Sequence, residues 1–96
     1  MDDVVGRVQA VLRTAIHAGE PPTVAATASS LATSERSLQR SLAREGARFH
    51  DVLETVRAAE DTRFRAQGLA PAEVAQRLGF SSANAYYRAR ARWRAT

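Results

Sequence analysis

Between Leu78 and Trp93 the chain runs through a short helix end, a glycine, a serine pair and a helix carrying Arg88, Arg90 and Arg92. The same order of parts appears earlier, around Ser34 to Glu45. A helix, a tight turn and a second helix with a polar outer face is the outline of a helix-turn-helix. Two such units in 96 residues leave few architectures open. The chain is one compact helical domain, or two very small subdomains that share a helix.

The rest of the chain reads as helix too. There is no alternating Val/Ile/Thr run and no Asn-Gly or Asp-Gly hairpin turn, so strands are not expected. Val4, Val8, Val11, Leu12 and Ala15 share one face at helical spacing and predict a first helix from Asp3 to Ala18, ended by Gly19, Pro21 and Pro22. Asp2 and Asp3 suit its positive N-terminus. A second helix is expected from Thr23 to Ser30. A third, capped by Ser34 and stopped by Gly46, runs from Glu35 to Glu45. Phe49, Val52, Leu53, Val56 and Phe64 stripe a fourth from Phe49 to Gln67. Pro71 opens a fifth, and Ser81 or Ser82 caps a sixth that reaches Trp93.

The expected fold class is therefore all-α, with about six helices: two helix-turn-helix subdomains, residues 1–48 and 68–96, joined by a long linker helix at 49–67. The two second helices begin about 47 residues apart. A joining helix of roughly 19 residues spans about 28 Å. That length suits two reading helices about one duplex turn, roughly 34 Å, apart.

Charge sharpens the reading. All fourteen basic residues are arginine, against ten acids. Residues 35–48 carry net +2 and residues 80–96 net +4, while 1–34 and 49–79 each carry −1. Positive charge thus collects on the two second helices, a distribution that attracts polyanions. Arginine presents a planar donor fork that matches phosphate and the guanine edge. With only six aromatic residues per hundred, the core must be built mostly from Ala, Val and Leu.

Several function classes are disfavoured. There is no cysteine, so no thiolate metal site or disulfide. His17 and His50 lie 33 residues apart without ligand-like companions. No nucleophile–base–orienter set or glycine-rich phosphate loop is present, so the chain is read as non-enzymatic and without cofactors. No apolar run approaches the roughly 20 residues needed to cross a bilayer, and the acidic start lacks a signal-peptide core, so a cytoplasmic, membrane-free protein is expected.

Leu31-Ala32-Thr33-Ser34-Glu35-Arg36-Ser37-Leu38-Gln39-Arg40, then Glu45-Gly46, Phe49, Val56-Arg57, and Ala72-Glu73-Val74-Ala75-Gln76-Arg77-Leu78-Gly79-Phe80-Ser81 together resemble the DNA-binding domain of the AraC/XylS family of bacterial transcription regulators. The resemblance covers Pro22 to Trp93. It implies a double helix-turn-helix that reads double-stranded DNA through successive major grooves. RNA polymerase subunits are a further partner class. The base-reading positions it implies are Glu35, Arg36, Gln39 and Arg40 in the first unit, with Arg44 on the same helix, and Ser82, Ala83, Asn84, Tyr87 and Arg88 in the second. Chemistry agrees for most of these: Arg pairs with guanine, Gln or Asn with adenine, while Ala83 offers only an apolar contact.

The chain also departs from the family pattern. Glu60, Asp61 and Arg65 stand where the joining helix is usually apolar, and Arg90 where an aromatic is usual. The family's closing Gly-x-x-Pro segment, last helix and ligand-sensing domain have no counterpart here. An inward Asp costs several kcal/mol unless paired, so a loosely packed second unit is expected. The acids of the fourth helix, Asp51, Glu54, Glu60 and Asp61, are expected to pair along that helix with Arg57, Arg63 and Arg65. Asp61, Arg65 and Arg90 also motivate a rival reading, a helical protein-interaction module that kept the fold and holds an acidic protein partner.

Overall fold

The computed structural model describes residues 3 to 95. All regular structure among them is helical: α1 Val4–Ala18, α2 Val24–Ser30, α3 Glu35–Arg44, α4 Phe49–Ala66, α5 Pro71–Arg77 and α6 Ala83–Ala95. The ends differ from the sequence reading by one or two residues, mostly because Asp3, Thr23 and Glu45 lie outside their helices as caps. Asp2 falls outside the described residues.

The N-terminus of α1 is held by two carboxylates. Asp3 accepts from the Gly6 N–H at 3.0 Å. Glu45, just past α3, accepts from the Val4 and Val5 N–H groups at 2.9 and 3.3 Å. Anionic acceptors at a helix start satisfy orphan donors and oppose the dipole. Val8, Leu12 and Ile16, one turn apart, are completely buried, and α1 packs on α2, α3 and α4. Burying each such side chain stabilises by roughly 1.5–3 kcal/mol. The core continues through Leu38 and Leu42 of α3, Val52, Val56 and Phe64 of α4, and Val74 and Leu78 at α5. The core is thus mainly Val and Leu, with Phe64 and Tyr86 as its fully buried rings.

Two acids of α4 lie inside it. Glu60 is 1% exposed; one carboxylate oxygen pairs with His17 of α1, and Arg13 and Arg63 stand 3.8 and 3.9 Å from the other. Asp61 is 5% exposed, accepts from the Tyr86 hydroxyl and has Arg65 at 3.9 Å. This corrects the expectation of a loose second unit. The inward Asp is matched by a hydroxyl from α6, and Tyr86 is sealed completely. The pairing expected along α4 is found for Arg63 with Glu60 and for Arg65 with Asp61, at 3.9 Å each, but the shorter contacts of both acids cross to other helices.

Candidate nucleic-acid interface

The two turns are built the same way. After α2, the Ala32 N–H donates to the Ser29 carbonyl at 3.1 Å and the Thr33 N–H to the Ala28 carbonyl at 2.9 Å. After α5, the Gly79 N–H donates to Gln76 at 3.1 Å and the Phe80 N–H to Ala75 at 3.0 Å. Both are Schellman endings, which place one residue in the left-handed region. That residue is Gly79 in the second unit, φ +85°, but Ala32 in the first, φ +56°. The following cap comes three residues after Leu31 but four after Leu78, so the second turn is one residue longer.

Serine starts both outer helices. Ser34 Oγ accepts from the Ser37 N–H at 3.1 Å and Ser82 Oγ from the Ala85 N–H at 3.1 Å. Of the two serines offered by the sequence, Ser82 is therefore the cap. Its oxygen is engaged, but its hydroxyl hydrogen remains a donor suited to phosphate.

On α3, Leu38 and Leu42 point into the core, while Glu35, Arg36, Gln39, Arg40 and Arg44 are all exposed. Arg36 and Arg40, one turn apart, share a face with each other; Gln39 lies one position from Arg40. On α6, Tyr86 and Ala89 are buried, and Asn84, Tyr87 and Arg88 are exposed with Ser82 and Ala83. Tyr87, 47% exposed, is the large hydrophobic side chain most open to solvent among the described residues. Each outer helix therefore presents a polar or basic face from a fixed, capped start. The free N–H groups of such an N-terminus can also donate to phosphate oxygens.

The remaining arginines of α6 separate by role. Arg92 is tied to α4. It donates to Glu54 of α4 at 2.6 Å, and the Trp93 indole N–H donates to the same carboxylate at 2.8 Å. Burial alone would raise the Glu54 carboxyl. The Arg92 and Trp93 hydrogen bonds, with the charges of Arg92 and His50, outweigh it and hold that carboxyl below its ordinary range. Arg90 is half-buried, its guanidinium carbon 5.6 Å from the Tyr86 ring centre, so the position of the usual aromatic is filled by a stacked cation.

Arg57 of α4 is the largest departure from the expected pairing. It reaches no acid among the described residues; its Nε donates to the Leu78 carbonyl at 2.8 Å and its Nη2 to the Gly79 carbonyl at 3.2 Å. The guanidinium lies 4.2 Å from the centre of the Phe80 ring. Burial lowers the Arg57 pKa from the ordinary arginine value, against an opposing pull from Glu54 and with a further push from Arg92. Sequence reasoning placed Arg57 in the family pattern but missed this role. Its only signal was an Arg on an inward-turning stretch of α4.

Over 59 residues the chain is 46% identical to HTH-type transcriptional regulator VirS of Mycobacterium tuberculosis, from strains CDC 1551 / Oshkosh and ATCC 25618 / H37Rv. The match takes in 60% of this chain and 17% of those proteins, so the chain corresponds to under a fifth of their length. No family model matches the chain, and no solved structure matches it. Among the described residues no helix is long and apolar enough to cross a membrane.

Proposed function

We propose that this chain is a sequence-specific duplex-DNA-binding unit of an AraC-type transcription regulator, laying α3 and α6 into successive major grooves. The observation that carries the reading is the duplicated unit itself. Two hydrogen-bond-matched turns each present a serine-capped helix with an exposed face of Arg with Gln, or Arg with Asn and Tyr. The likeness to proteins named as helix-turn-helix transcriptional regulators supports it.

In this reading Arg36 and Arg40 read guanine, and Gln39 and Asn84 read adenine. Tyr87 and Arg88 contact the second groove, and Arg44, Ser82 and the helix starts hold phosphates. Glu35 serves cytosine N4 or the helix dipole. The rival, a module for an acidic protein partner, loses its motivating residues: Asp61 is spent on Tyr86, Arg65 lies beside Asp61, and Arg90 is stacked on Tyr86.

Selection from a random duplex library at about 150 mM salt tests the proposal, since phosphate-only binding weakens steeply with salt. The expected result is a bipartite motif whose halves lie about one turn apart. Equal affinity for every duplex, from folded protein, refutes it.

A further inference from the structure

We propose that Arg57, together with the contact of Pro22 on Gly79, is a clamp that fixes α6 relative to α3 and thereby sets the half-site spacing the chain accepts. The proposal rests on the DNA-reading function above. Pro22 is buried and stands one residue before Thr23, whose side chain caps α2. Its ring lies against the second turn so closely that a Cβ on Gly79 would sit 2.7 Å from two of its carbons. The start of α2 therefore lies against the turn between α5 and α6.

Arg57 locks the same point from below. The Leu78 and Gly79 carbonyls follow the last turn of α5, where helix carbonyls lack partners and the dipole is negative. A guanidinium satisfies both and stacks on Phe80, the next residue, which itself packs on Tyr86 and Trp93 of α6. Proline fixes its own φ, and the guanidinium fork is rigid, so both halves of the clamp are stiff. One base-pair step displaces a half-site by about 3.4 Å and turns it by about 35° along the groove. A rigid pair of helices rejects that step. A pair freed at this turn tolerates it, with the base-contacting side chains unchanged.

The chain has no cysteine, so Ala43→Cys on α3 and Ala91→Cys on α6, both exposed, take spin labels at those sites alone. Pulsed electron-electron dipolar spectroscopy then reads the distance distribution between the two helices. Arg57→Met keeps an apolar stem and removes the donors; it is expected to broaden the distribution, while Arg7→Met on the exposed face of α1 leaves it unchanged. In duplexes whose half-sites are moved apart one base pair at a time, Arg57→Met is expected to lose about tenfold of the spacing discrimination, the scale of one charge-assisted hydrogen bond. Preference within each half-site stays the same. A wild-type distance width and spacing preference in Arg57→Met overturns the clamp. If that variant does not fold, Arg57→Lys, which keeps the charge but lacks the fork, is expected to broaden the distribution, and wild-type behaviour there overturns the clamp equally. Broadened distances in a protein whose wild type enriches no duplex uphold the clamp and refute the DNA reading.

Discussion

Replacing Tyr86 with phenylalanine removes one oxygen from the centre of the second unit. Asp61 is 5% exposed and, among the described residues, keeps Arg65 alone, at 3.9 Å and beyond hydrogen-bond distance. Losing a hydrogen bond to a buried charge costs about 1.5–3 kcal/mol. At about 4–8 °C per kcal/mol for a domain of this size, Tyr86→Phe should melt about 6–24 °C lower at neutral pH. Asp61→Ala with Tyr86→Phe removes both partners, so the double variant should be more stable than the sum of the singles by at least about 1 kcal/mol. Circular dichroism melts and urea titrations measure all four proteins. Strict additivity refutes the claim that the two groups depend on each other.

The same pair predicts an alkaline transition. The chain has no lysine or cysteine, and its tyrosines are Tyr86 and Tyr87. Burial, and then the hydrogen bond and charge of Asp61, push the Tyr86 phenol from about 10 up to about 12. Its folded value is the higher one. Its contribution to stability is therefore complete below about pH 10 and is lost as pH climbs toward 12. In Tyr87→Phe, tyrosinate absorbance should rise only as the protein unfolds in that window, and in Tyr86→Phe the added loss of stability there should vanish. Ionisation of Tyr86 near pH 10 in a chain still folded refutes the argument.

Three further outcomes are expected. Ala32→Gly should raise stability by about 0.5–1 kcal/mol in urea titrations, because a left-handed alanine is strained, whereas Gly79→Ala should lose more than about 2 kcal/mol, combining that strain with the Pro22 clash. The Glu54 carboxyl is held below its ordinary value, so the stability it contributes is present above about pH 4.5 and falls away as pH drops through the lower folded value; Glu54→Gln should flatten the acid limb of the stability–pH curve. Arg36→Ala and Arg40→Ala should each weaken binding to the selected duplex by about 5- to 150-fold and relax one base position, whereas Arg44→Ala should weaken all duplexes alike and lower the salt slope by about one, all by fluorescence anisotropy.

The six helices, the serine starts of α3 and α6 and the duplicated turn were legible in the chain because each depends on residues within a few positions of one another. Val8 and Leu12 lie one turn apart, Ser34 and Ser82 reach N–H groups three residues on, and Gly79 supplies a positive φ. The exposure of Arg36, Gln39, Arg40, Asn84, Tyr87 and Arg88 followed from the same periodicity, since Leu38, Leu42, Tyr86 and Ala89 claim the inner faces. Ala32 was the local exception, a turn made without the residue that most favours it.

What the chain alone did not decide was the fate of its charges on α4. A helical wheel shows that Arg57, Glu60 and Asp61 turn inward, but not what meets them. Along the helix the expected partners lie three or four residues away, and Arg63 and Arg65 do stand 3.9 Å from Glu60 and Asp61. In the folded protein Arg57 finds carbonyls 21 and 22 residues away, Asp61 finds Tyr86 25 residues away, and Glu60 finds His17 43 residues away. Short-range physics sets where helices begin, turn and end. Which buried ion is satisfied, and by which neighbour, depends on how α1, α5 and α6 pack on α4, and only the tertiary structure holds that information.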